Sequence, residues 1–158
     1  MKKPETPTSP PEGYDKLLGT EIGFNGLSGP YWARRSEGAA VLGFRVEERH
    51  LNPSGVCHGG ALAAFADYLA VIARDLAGTG DRSCPTVSLS IDYLAPVPHG
   101  AWVELSGRLL RRTKTLLFAD GQMIVDGAIM ARVDGIFILG RPRAEVGYPI
   151  PPGQISAI

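Results

Sequence analysis

Apolar residues recur along this chain in two rhythms, and the switch between them outlines the fold. From about His58 to Leu76 the period is helical: Leu62, Phe65, Ala66, Leu69, Ile72, Ala73 and Leu76 form one stripe. The opposite side carries Ala63, Ala64, Asp67 and Val71, so it is small and apolar rather than charged. Gly78-Thr79-Gly80 supplies the C-cap. Elsewhere the period is two. Tyr31 to Arg35 and Ala40 to Glu48 read as strands before the helix. After it come Thr86 to Leu94, Ala101 to Leu110, Thr115 to Val125 and Ala128 to Leu139, with Asp126-Gly127 as a tight turn between the last two. In the first of these, Val87, Leu89, Ile91 and Tyr93 share one face and Thr86, Ser88, Ser90 and Asp92 the other.

One apolar helix among five or six strands is an α+β pattern. It closes most economically as an antiparallel sheet wrapped around the helix. A helix apolar on nearly all sides is buried on nearly all sides. One sheet covers one face, and a second subunit is expected over the other. The domain so defined spans 14–140. Residues 1–13, with four prolines among polar residues, read as disordered, and 141–158 as an irregular proline-rich tail. A short helix is expected from Tyr14 to Leu18, ending near Gly19.

Composition changes this picture little. At 158 residues, with 16 basic and 16 acidic side chains, the chain has the size of one domain and no charge bias toward nucleic acid. Two cysteines make no disulfide framework, and with no secretory signal pattern they point to the cytoplasm. The apolar helix contains Asp67 and stops at Arg74, too short and too polar to span a bilayer.

The chemistry concentrates in Asn52-Pro53-Ser54-Gly55-Val56-Cys57-His58-Gly59-Gly60, which runs into the helix. From Gly59 to Ala73 the single formally charged residue is Asp67, and a carboxylate in such surroundings is paired, protonated or employed. Gly59 and Gly60 stand where a helix presents unpaired N–H groups and partial positive charge, suited to the oxygen of a polarised carbonyl. Asp67 would then act as nucleophile or as general base. The two groups lie eight residues apart, or about 12 Å of helix. One carbonyl carbon cannot meet both on one chain, so joint action requires a two-fold pair of chains. Blander readings stand beside these. Gly-Gly before a helix is a common turn, Asp67 has a candidate partner in Arg74, and His58 suits a capping role. Cys57 and His58 are adjacent and so point apart, and His50, His58 and Cys57 lack zinc-site spacing. Arg111, Arg112 and Lys114 form a basic cluster, either a solvated turn or a phosphate contact.

The run Asn52…Gly55…His58-Gly59-Gly60…Asp67, followed by Ser90-Ile91-Asp92-Tyr93-Leu94-Ala95-Pro96 and Lys114-Thr115-Leu116, resembles the hotdog-fold acyl-CoA thioesterases. Within the hydroxybenzoyl-CoA thioesterase superfamily it looks most like the PaaI-like, phenylacetic-acid-degradation type, over roughly residues 38 to 140. The resemblance implies a dimer, often paired into a tetramer, that hydrolyses an acyl-CoA without metal or redox cofactor. By position, Gly59 would polarise the thioester carbonyl, and Asp67 from the partner chain would attack or activate water. Asn52 and His58 would shape the pocket, Thr86 would position water with Ser88 as a nearby competitor, and Gly60 would border the substrate. Arg111, Arg112 and Lys114 fall where CoA phosphates are expected. The segment from Phe24 to Arg35 is expected to line or cover the acyl pocket. Two other readings are a non-catalytic acyl-CoA sensor, against which Asp67 counts, and an enoyl-CoA hydratase or dehydratase, for which His58 is poorly placed.

Overall fold

A computed structural model of the protein describes residues 9–17 and 20–142. The expected disorder of residues 1–8 and most of the expected tail, 143–158, lie outside the described residues. Seven strands form one antiparallel sheet in the order β1-β2-β3-β5-β6-β7-β4. They are β1 (Asp15–Lys16), β2 (Trp32–Ser36), β3 (Ala39–Arg45), β4 (Thr86–Tyr93), β5 (Trp102–Arg112), β6 (Leu116–Val125) and β7 (Ala128–Ile138). Six of these answer the period-two segments of the sequence. The seventh, β1, replaces the helix expected at Tyr14–Leu18 and pairs with the edge of β2. Five residues are too few to offset the cost of helix nucleation, whereas pairing buries Tyr14 and Leu17 and gives the Leu17 N–H the Tyr31 carbonyl at 2.9 Å.

The turns follow from their residues. Asp126-Gly127 and Glu37-Gly38 both hold positive φ at two successive positions, the geometry that suits a two-residue hairpin. The strand expected through Glu48 ends at Arg45, and Glu48–His50 forms a single 3-10 turn.

The helix runs as two successive stretches, α2 (Gly59–Ala66) and α3 (Leu69–Leu76). Between them Asp67 and Tyr68 keep right-handed backbone angles, but the hydrogen bonds tighten. Tyr68 N–H reaches Phe65 O at 3.1 Å, Ala70 N–H Asp67 O at 3.1 Å, and Val71 N–H Tyr68 O at 2.9 Å, each one residue short of the α spacing. Gly78 at φ +65 then closes the rod, with Thr79 N–H on Arg74 O at 3.0 Å.

Leu62, Phe65, Ala66, Leu69, Ile72 and Ala73 are buried against the sheet, as the stripe predicts, while Leu76 at its end is exposed. The sheet meets them with Leu42, Phe44, Val103, Leu105, Leu117, Met123, Val133 and Phe137. Gly107 and Gly121 oppose each other in register and leave a bare spot on the sheet that receives Leu69. A Cβ on Gly107 would stand 2.6 Å from Leu69 Cδ1. A further helix, α1 (Gly23–Ser28), which the sequence pattern did not announce, lies beside α2 and buries none of its own residues. Among the described residues, no helix is long and apolar enough to cross a membrane.

Candidate functional site

The loop before α2 is organised by its own polar groups. Asn52 Oδ1 accepts from the N–H groups of Ser54 at 2.9 Å and Val56 at 3.4 Å, and the Asn52 N–H reaches Val56 O at 2.8 Å. Asn52 therefore braces the turn with its side-chain oxygen. The loop is tied to the core through His50. The Glu47 N–H donates to His50 Nδ1 at 2.9 Å, which leaves Nε2 to donate to Ser28 O at 3.0 Å. The His58 N–H bonds His50 O at 2.7 Å. Burial lowers the His50 pKa from its ordinary value, with Arg49 adding to the effect.

His58 is the N-cap of α2, its Nδ1 accepting from the Gly60 N–H at 2.8 Å. The two glycines thereby part in role. Gly60 commits its N–H to the cap, and a Cβ there would press on His58 Nδ1 at 2.9 Å. The Gly59 N–H has no hydrogen-bond partner among the described residues. It stands at the positive end of the helix, beside a cleft of about 330 Å³ lined by Cys57, Gly59, Leu62, Tyr93 and the 94–97 segment. Tyr93 Oη donates to Gly59 O at 2.8 Å and flanks this cleft. Nothing in the residue pattern singled out Tyr93 chemically beyond its place in the Ser90–Pro96 motif. Cys57 forms no pair with the His58 ring. Its Sγ lies 3.8 Å from His58 O, and burial pushes the thiol up to about 11.

Asp67 opens into a different cleft, of about 430 Å³, which shares no residue with the first. Thr86 Oγ1 donates to Asp67 Oδ1 at 2.6 Å. This contact depends on an irregularity the alternation did not reveal. In the pairing with β7, Thr86 stands opposite Phe137, while Ser88, two residues on, stands opposite Ile136, only one residue on. The extra residue is Val87, and a bulge of this kind reverses the facing of what precedes it. Thr86 turns to the helix side with the fully buried Phe137, whereas Ser88 stays with Ser90 and Asp92 on the outer face. The expectation that Thr86 and Ser88 share a face is thus corrected, and Ser88 is directed away from Asp67.

Arg74 is buried and lines the Asp67 cleft, with Nη1 on Arg82 O at 3.2 Å. Phe24 and Asn25 of α1 line the same cleft, which places the N-terminal segment beside Asp67. Cys84 lines it too, its thiol pushed up to about 11 by burial.

The basic cluster does not assemble as one patch. Arg112 pairs in register with buried Leu117 and donates through Nη1 to Ala77 O at 2.8 Å, capping the C-terminal end of α3. Arg111 pairs with Phe118 on the other face, and Lys114 is exposed in the turn that follows. Ala77 lies roughly 27 Å along the rod from Gly59 at 1.5 Å per residue.

Comparison with known proteins places these features. A family model described as the thioesterase superfamily matches residues 54–128, the stretch from the Gly59 loop through the whole of β6 to the start of β7. Acyl-coenzyme A thioesterase 13 of Homo sapiens is 32% identical over 100 residues, covering 57% of this chain and 69% of that protein. The mouse protein of the same name is 36% identical over 82 residues, 51% of this chain and 56% of its own. Among solved structures, a variant of the phenylacetic acid degradation protein PaaI from Thermus thermophilus is 25% identical with a TM-score of 0.60, covering 68% of this chain and 91% of its own. Zebrafish thioesterase superfamily member 2, 22% identical, shares the fold at a TM-score of 0.66 over 75% of this chain and 87% of its own. A helical rod wrapped by one antiparallel sheet, entered through the Gly59 loop and matched in this way, makes the chain a member of the thioesterase superfamily, a PaaI-like hotdog thioester hydrolase.

Proposed function

We propose that the protein hydrolyses an acyl-CoA thioester to a free acid and CoA, at two equivalent sites each completed by two protomers. One observation carries this reading. The unpaired Gly59 N–H and the Asp67–Thr86 pair open into separate clefts of one chain, about 12 Å apart along the helix. A thioester held by both needs Gly59 from one chain and Asp67 of the partner subunit. Two further features support the pairing. β4 is an edge strand of the sheet, and Val87 and Tyr93 on it, with Leu94 just after it, are exposed. The rod also keeps Ala63, Ala64 and Val71 only half-buried within the single chain.

In this mechanism the carbonyl oxygen takes the Gly59 N–H, and the helix end favours the negative charge that develops there. Asp67 of the partner subunit removes a proton from water as the water attacks the carbonyl carbon. Collapse of the tetrahedral intermediate breaks the C–S bond, and the leaving thiolate is protonated. Thr86 holds the carboxylate, His58 fixes the helix start, and Asn52 braces the loop. Gly60 serves the site through the His58 cap. Arg111 and Lys114 are the basic groups assigned to the CoA phosphates. The acyl-CoA class draws support from the acyl-coenzyme A thioesterase relatives.

The test is free-thiol release from aliphatic and aryl CoA thioesters, with the wild type and Asp67→Asn side by side. The variant is expected to lose about 10²- to 10⁴-fold in kcat, as for loss of a general base, with its oligomeric state unchanged. Equal rates for the two proteins would remove Asp67 from the mechanism.

A further inference from the structure

Gly59 and Gly60 share one peptide group, and two side chains grip it from its two ends. His58 Nδ1 takes the Gly60 N–H at 2.8 Å. Tyr93 Oη donates to the Gly59 carbonyl, also at 2.8 Å. The peptide between His58 and Gly59 is different. Its carbonyl accepts the Ala61 N–H at 2.9 Å, while its N–H, the one assigned to the thioester oxygen, has no partner among the described residues. The two peptides meet at the Gly59 Cα, where no Cβ restricts the torsions between them. Whatever holds the gripped peptide therefore governs where the open N–H points.

The two grips differ in reach. His58 is a local cap, whereas Tyr93 stands at the far end of β4, in register with the fully buried Ala131 of β7. It alternates with Ile91 and Leu89, which pack against the core, so all three share the helix side of the sheet. A Cβ on Gly59 would stand 3.5 Å from Tyr93 Cζ, an ordinary contact, so the ring lies against the glycine. The α spacing already gives the Gly59 carbonyl the Ala63 N–H as a partner, and the Tyr93 bond is additional to what the helix requires. The ring is half exposed and its packing needs no hydroxyl. β4 thus serves both reacting groups: Thr86 at its first position bonds Asp67, and Tyr93 at its last bonds Gly59. Burial raises the Tyr93 phenol above its ordinary pKa, which keeps it an O–H donor across the physiological range.

We propose that Tyr93 is a positioning residue for hydrolysis, its hydroxyl tying the Gly59–Gly60 peptide to β4 so that the open Gly59 N–H meets the thioester oxygen as charge develops there. The inference rests on the reading that Gly59 polarises that carbonyl. Tyr93 acts through the backbone and makes no bond to the reacting atoms. Its contribution is geometric, and a misplaced donor is felt most in the transition state.

Two measurements on full-length wild type and Tyr93→Phe test this. The first is steady-state thiol release from CoA thioesters. kcat is expected to fall about tenfold with KM little changed, the pattern of one neutral hydrogen bond realised in the transition state. The second is the infrared carbonyl band of an isotope-labelled ketone analogue of acyl-CoA, in which a methylene inserted before the sulfur prevents hydrolysis. The band is expected at lower frequency on wild type than on Gly59→Pro, with Tyr93→Phe between them. Loosened packing elsewhere would not move it. Wild-type kcat in Tyr93→Phe, a change confined to KM, or a band that stays at the wild-type position each overturns the role of Tyr93 and leaves hydrolysis standing. Equal bands on wild type and Gly59→Pro would overturn the role of Gly59, and this inference with it. Absence of thiol release from every thioester would overturn the hydrolytic site itself.

Discussion

Thr86 Oγ1 donates to Asp67 Oδ1 at 2.6 Å, from a strand position that simple alternation would turn away from the helix. Hydrogen bonds to an ionised acceptor are the stronger kind. Thr86→Val keeps the shape and removes the donor, so kcat for thiol release is expected to fall roughly ten- to a hundredfold, with Thr86→Ser retaining most of it. A Thr86→Val enzyme as fast as wild type would detach Thr86 from the chemistry.

Gly59 offers an unusual chance to delete one backbone N–H. It is the first residue of α2, where proline is well tolerated, and His58 before it already holds φ −64 and ψ 136, the extended region a residue before proline requires. Gly59→Pro is expected to fold with its helix intact by circular dichroism and to lose about 10²- to 10³-fold in kcat, as for an oxyanion donor.

Composite sites give a quantitative signature. Mixing Gly59→Pro chains with Asp67→Asn chains, each inactive alone, leaves one intact site in each mixed dimer. Random reassociation should then restore about a quarter of wild-type activity. Sites contained within single chains would restore none.

His50 makes stability depend on pH in a defined direction. Its Nδ1 accepts the Glu47 N–H, so a proton there breaks the bond, and burial holds the folded-state pKa below the ordinary 6.5. Above 6.5 both folded and unfolded forms are neutral and the group contributes no pH dependence. As pH falls through 6.5 the unfolded chain binds a proton that the folded chain refuses, and stability declines until the folded pKa is passed. Melting temperatures between pH 7.5 and 5 should fall more steeply for wild type than for His50→Gln.

The bare spot under Leu69 is expected to tolerate no methyl group. Gly107→Ala places a Cβ 2.6 Å from Leu69 Cδ1 and 2.9 Å from Asp120 O, and that oxygen belongs to the backbone. Overpacking of this kind costs about 1–3 kcal/mol, read as a lower denaturation midpoint at unchanged m-value.

Much of this fold was legible from periodicity. The rod, its buried stripe, the Asp126-Gly127 turn and six strands all follow from residue patterns that repeat. What escaped was not periodic. The bulge at Val87 inserts one residue without altering composition, and it decides that Thr86 rather than Ser88 meets Asp67. β1 and α1 are too short for a period to register, and tertiary contact selects them. Tyr93 reads as an ordinary apolar position until its oxygen is placed on Gly59 O. The basic run at 111–114 looked like one patch because neighbours in sequence were counted together, whereas a strand sends Arg111 and Arg112 to opposite faces.

The separation of Gly59 from Asp67 also carries a consequence for dilution. In the proposed arrangement a lone chain contains every reacting group and completes no site, so specific activity follows mass action. It should hold constant at high protein concentration and decay as the concentration drops below the dissociation constant of the pair, without any loss of folded chain.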